Sequence, residues 1–131
     1  MKKLDNYSLD THSIVWYIRG QKTLSYKARE IIEKIFAGEA NGYISTMAIL
    51  EAFYVSLKHK DFIFSHFLES IKRPNIQIIS FDSEVLSQSF ELPVEIHIHD
   101  RVIVASAIIT NTPLITKDKI LRSNFPLETI W

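Results

Sequence analysis

The chain has no cysteine. Disulfides and thiolate metal centres are thereby excluded. Glycine and proline are scarce, three and four in 131 residues. They are too few for a flexible connector and act as punctuation between elements. Neither sign of charge is in excess: fifteen Lys and Arg balance fifteen Asp and Glu, and the pI is near 7. A strong nucleic-acid binder often carries a basic excess. The balance therefore gives no support for tight, non-specific binding, while a local basic rim stays open. No apolar run reaches the roughly 18 residues of a membrane span. Lys2 and Lys3 are followed by no apolar leader segment and no small-residue cleavage site. Repeats and low-complexity tracts are also missing. The expectation is a soluble, cytoplasmic chain with no membrane partner, folded as one domain over residues 1–131. Apolar residues are plentiful, at 47% with 11% aromatic, which is ample for one core at this length.

The hydrophobic pattern alternates between strands and helices. Tyr7–Leu9 reads as a short strand. Ile14, Val15 and Ile18 follow as a short buried helix closed near Gly20. Ala28, Ile31, Ile32, Ile35 and Phe36 share one helix face, and Gly38 closes that helix. Residues 42–45 form a second strand, with Thr46 expected to cap the helix Met47–Leu57. Phe64, Phe67, Leu68 and Ile71 make another helical stripe, stopped by Pro74. Ile76–Ile79 is a third strand, and Asp82 reads as the cap of a short helix through Val85 and Leu86. Pro93 breaks the chain. From Val102 to Ile109 only Ser106 is not apolar, as in a helix buried on most sides. Residues 114–116 are a fourth strand, Asp118 opens a short helix, and residues 127–131 read as an edge strand. Such alternation argues for a parallel sheet covered on both faces.

Four acids break the polar-face pattern. Asp10 follows a buried strand, and Asp118 follows the last central one. Asp100 heads the most apolar helix, and Glu51 is the single charge between Met47 and Leu57. A lone buried carboxylate must be paired, protonated or bound to a cation. The bland alternatives are N-caps for Asp10 and Asp118, and a Lys partner or solvent strip for Glu51. The set says more than its members. In a parallel sheet all strands end on one edge, so Asp10, Asp100 and Asp118 converge there and Glu51 reaches in. Crowded carboxylates repel, and hard divalent cations relieve that. The matching chemistry is hydrolysis of a phosphodiester by a metal-activated water.

Taken in order, Ser8-Leu9-Asp10-Thr11-His12, Ile44-Ser45-Thr46 leading to Glu51, His99-Asp100-Arg101-Val102-Ile103, and Leu114-Ile115-Thr116-Lys117-Asp118 resemble the PIN-domain family. The likeness is strongest to the small toxins of VapBC-type toxin–antitoxin pairs. It implies a three-layer α/β/α fold with a parallel sheet of about five strands. It further implies a ribonuclease dependent on Mg²⁺ or Mn²⁺, cutting an RNA substrate. By this resemblance Asp10, Glu51 and Asp100 are ligands, and Asp118 acts through water or on a second metal. Thr116 supports the site by hydrogen bonding, and so does Thr11. The resemblance also implies a homodimer and a cognate antitoxin that covers the acidic site. One departure stands out: many relatives have a Pro shortly before the third acid, where this chain has Ile96-His97-Ile98-His99-Asp100.

His97 and His99 flank Ile98 on what reads as a short strand or turn, and they lack the further ligands that Zn²⁺ needs. His12 reads first as a helix-surface residue. Arg101 suits either phosphate contact or a structural lock on neighbouring acids, with the lock favoured. Lys117, Lys119 and Arg122 near Asp118, together with Lys58, His59, Lys60, Lys72 and Arg73, are candidates for a basic rim. Phe62, Phe64 and Phe67 are candidates for base stacking, with core roles favoured for the latter two. The helices within 47–72 are the expected dimer surface. Two rivals remain in view: a Mg²⁺-binding phospho-acceptor signalling domain, suggested by Lys117, and a catalytically silent PIN-like binding module.

Overall fold

A computed structural model describes residues 3–123 and 127–131; Lys2, part of the basic start noted above, lies outside them. Five parallel strands form one sheet in the order β3-β2-β1-β4-β5. They are β1 (Asn6–Leu9), β2 (Asn41–Ser45), β3 (Ile76–Ile79), β4 (Leu114–Ile115) and β5 (Thr129–Ile130). Between them run α1 (Thr11–Ile18), α2 (Tyr26–Phe36), α3 (Thr46–Lys58), α4 (Phe64–Ser70), α5 (Ser83–Ser89), α6 (Ile98–Thr110) and α7 (Lys119–Ser123). The architecture is the expected three-layer α/β/α sandwich. Among the described residues, no helix is long and apolar enough to cross a membrane.

The strands are short and apolar because both faces of the sheet are covered. Leu9, Ile44, Leu114 and Ile115 are almost wholly buried. Helix α2 turns Ala28, Ile31, Ile32 and Ile35 inward. The apolar helix α6 buries Val102 to Ala107 without interruption, and the Ser106 hydroxyl donates to its own Val102 carbonyl at 2.8 Å. That internal bond lets a hydroxyl sit in the core.

The helix ends follow local rules. Gly20 and Gly38 take positive φ (67° and 80°) just past α1 and α2, where a left-handed residue closes the last turn. Asn111 does the same after α6, at φ 53°. One expectation shifts by a residue. Ser45, not Thr46, caps α3, its hydroxyl accepting from the Met47 N–H at 3.1 Å. Thr46 is already helical, and its hydroxyl accepts from the Phe81 N–H instead. A second correction concerns His97 and His99. They do not alternate along a strand: α6 begins at Ile98, so His99 lies in its first turn.

The strand order reverses between β1 and β4. To one side of β1 lie β2 and β3, and to the other β4 and β5. Loops leaving β1 and β4 therefore diverge and open a crevice at the carboxyl edge, where open α/β sheets take their ligands. Asp10 and Asp118 are carried on those two loops.

Candidate functional site

Asp10 sits in the gap after β1 with its backbone pinned to the neighbouring strand, its N–H donating to the Ile115 carbonyl at 3.3 Å. It caps α1: one carboxylate oxygen accepts from the Ser13 N–H at 2.9 Å. Ser13 is itself buried and donates its hydroxyl to the Ile115 carbonyl at 3.1 Å. The Thr116 hydroxyl also hydrogen-bonds to the Asp10 carboxylate, while accepting from the Asp118 N–H at 3.1 Å. Thr116 is fully buried and so fixes the two acids relative to each other. Asp118 in turn accepts from the Leu121 N–H at 3.4 Å and begins α7.

Asp10, Asp100 and Asp118 line one cavity of about 380 Å³, whose walls also include His12, Trp16, Lys117 and Lys119. Burial pushes the Asp10 carboxyl above the ordinary carboxylate range, against the pull of its bonds to Thr116 and Ser13. Asp100 is pushed up by burial first, then by the negative charges of Asp118, Glu51 and Asp10. The other three acids thus all act on Asp100 at one edge of the sheet. Among the described residues, no three His, Asp or Glu side chains already stand as a metal-ligand set. The donor chemistry nevertheless fits a hard cation, since all four groups offer carboxylate oxygens.

Glu51 stands slightly apart. It faces an adjoining cavity of about 340 Å³, together with Thr11, His12, Tyr54, Lys58 and His99. The Thr11 hydroxyl donates to Glu51 Oε1 at 2.6 Å, and His99 Nδ1 lies 3.4 Å from Glu51 Oε2. Thr11 is buried, so it holds the acid from beneath.

Arg101 points elsewhere. Its guanidinium donates to the backbone carbonyls of Ile96, Ser89, Leu92 and Pro93 at 2.7 to 3.2 Å. The expected structural lock is present, but it closes on the 89–96 segment rather than on acids. A planar fork with five N–H donors suits several carbonyls at once. This clasp shapes the entry to α6 without a proline beside Asp100.

The basic rim divides. Lys117 and Lys119 border the acidic cavity, and Lys58 and His59 border its neighbour. Lys72 pairs with Glu69, while Arg73 binds the Phe36 carbonyl and covers its ring. Phe62 and Phe67 are buried against each other and offer no stacking surface. Trp16 was not foreseen beside the acids. Its i,i+4 spacing from His12 was the available signal, because the two rings stack at 5.2 Å. On α3, the exposed face carries Leu50, Phe53, Tyr54 and Leu57.

A family signature described as PIN domain matches residues 7–124. The fold is similar to solved structures of low sequence identity. The VapBC2 structure from Rickettsia felis, bound to a DNA fragment from its promoter, aligns with TM-score 0.71 and 21% identity, covering 95% of this chain and 97% of that one. A toxin–antitoxin complex from Klebsiella pneumoniae aligns with TM-score 0.71 and 19% identity, over 95% and 96% of the two chains. FitAcB from Neisseria gonorrhoeae gives 0.70 and 19% over the same shares. Among curated protein sequences none matches significantly.

Proposed function

The chain belongs to the PIN domain family, its match spanning residues 7–124, and from that premise we propose that it is a metal-dependent endoribonuclease, the toxin of a toxin–antitoxin pair. The observation that carries this reading is the shared cavity of Asp10, Asp100 and Asp118, with Glu51 close enough to act on Asp100. In this reading Asp10, Asp100, Asp118 and Glu51 hold Mg²⁺ or Mn²⁺. When bound, such a cation supplies an activated water and neutralises charge on the leaving oxygen.

The chain's own residues do the rest. Thr116 and Ser13 orient Asp10, and Thr11 orients Glu51. Lys117 and Lys119 at the cavity border draw the phosphate in. The phospho-acceptor rival asks for adjacent acids after the first strand, and Leu9 stands before Asp10 there. Similarity to toxin–antitoxin complexes supports an antitoxin partner. Leu50, Phe53 and Leu57, exposed on α3 and outside the Glu51 cavity, support a homodimer.

The test is cleavage of RNA by purified protein in Mn²⁺. EDTA is expected to stop it, and so is Asp100→Asn. Cleavage that survives the substitution would trace to a contaminant and sink the assignment. Millimolar Mn²⁺ is also expected to raise the melting temperature of the wild type, because the cation binds only folded chain.

A further inference from the structure

The cavity beside the acids has a different character from the acidic one. It holds one carboxylate, Glu51, and is otherwise walled by Thr11, Tyr54, Val55, Lys58 and the imidazoles of His12, His59 and His99. His12 borders both cavities. Its exposed ring is braced from behind. It stacks on Trp16 with 23° between the planes, and Trp131 meets Trp16 edge-on at 6.0 Å. Lys117 lies over the same indole. A ring supported this way keeps its orientation and costs little entropy when a ligand stacks on it. Tyr54 adds a second aromatic wall, with 58% of its surface exposed. Lys58, in the last turn of α3, adds a cation.

Flat aromatic surfaces beside a cation suit an unpaired nucleobase and its phosphate. Resting on the nuclease reading above, we propose that this second cavity seats the nucleotide next to the cleaved bond of single-stranded RNA. The base packs against His12 and Tyr54, and Lys58 meets the phosphate. A base held in a duplex cannot present its face to such walls, so the site selects unpaired segments. His12, on the border, sets the step from the seated base to the acids.

The test uses His12→Ala and Tyr54→Ala, both at exposed positions, with Tyr54→Phe as the ring-preserving control. Affinity for a short single-stranded oligoribonucleotide is read by fluorescence anisotropy in EDTA, where cleavage plays no part. Each alanine variant is expected to bind on the order of tenfold more weakly, the loss of one stacking partner, while Tyr54→Phe stays near wild type. In Mn²⁺ the alanine variants should show a matching rise in KM.

Unchanged affinity and KM in both alanine variants of a cleaving enzyme would overturn the subsite and leave the nuclease reading intact. Binding in EDTA that depends on His12, in a wild type that never cleaves, would keep the subsite and remove the nuclease reading. If both substitutions spare RNA but abolish binding of a partner protein, the cavity belongs to that protein and the proposal fails.

Discussion

Asp10 and Asp82 are the same local device in two places. Each follows the carboxyl end of a strand and stands in extended backbone before a helix. Each accepts from the amide three residues on, Ser13 or Val85, at 2.9 Å. Their surroundings differ. Asp82 follows β3 at the sheet edge and is exposed to water. Asp10 follows the central β1, where β4 brings Thr116 beneath it and Asp118 beside it. Burial pushes the Asp10 carboxyl above its ordinary titration range. A cap becomes a candidate ligand because of where its strand lies in the sheet, not because of its own turn.

The most severe test of that contrast is activity. Asp10→Asn keeps a capping oxygen but removes the charge. It is expected to slow RNA cleavage by at least about 100-fold, the loss that goes with roughly 3 kcal/mol of electrostatic stabilisation. Asp82→Asn should cleave like wild type in the same assay. Equal losses would erase the distinction.

Arg101 links the two regions, since it binds the Ser89 carbonyl at the end of the helix that Asp82 caps and precedes the rest of the helix that carries Asp100. Arg101→Met leaves its four carbonyls without that partner. We expect a loss of about 3 kcal/mol in urea unfolding.

Thr116→Val probes the support that Asp82 lacks. Without the hydroxyl, the Asp118 N–H loses its acceptor and Asp10 loses a donor. Stability should fall by about 1.5 kcal/mol, with cleavage reduced by about tenfold from a misplaced acid. Asp82→Ala is a smaller change, about 1 kcal/mol for a lost cap, visible in thermal unfolding without any change in activity.

The mildest effect is in pH dependence. Asp10 and Asp100 titrate above the ordinary carboxylate value when folded. Between the unfolded value of about 3.9 and the raised folded values, the folded chain holds protons that the unfolded chain has released. Their contribution to stability is therefore largest below the unfolded value and declines as pH rises through the folded ones. Melting curves in EDTA should show this decline in wild type and in Asp82→Asn. Asp100→Asn should flatten it, and Mn²⁺ should offset it near neutral pH.

Much of the fold was legible beforehand. The alternation of apolar strands with helical stripes led to the parallel sheet, and Gly20 and Gly38 marked helix ends as expected. Asp82 was readable as a cap from its neighbours alone. The cap of α3 was misplaced by one residue because Ser45 and Thr46 are both good caps, and only the Thr46 contact with the Phe81 N–H separates them. The helix was expected to open near Asp100, which does lie in its first turn. That it also takes in His99 was not readable, because His97 makes no side-chain cap bond to mark the start at Ile98. The clasp of Arg101 on four carbonyls could not be read either, since those partners are backbone atoms and leave no trace in residue identity.

The sequence by itself determined which segments are strands and helices and which acids interrupt their apolar pattern. Those are local matters of period, cap and turn, settled within a few residues. Only the tertiary structure decided that β1 and β4 are neighbours at the point where the strand order reverses. It also placed Asp10, Asp100 and Asp118 on one cavity with Glu51 on the next, and put the braced ring of His12 between them. Strand order and side-chain pose depend on contacts between residues far apart in the chain, and such contacts form only when the whole core packs.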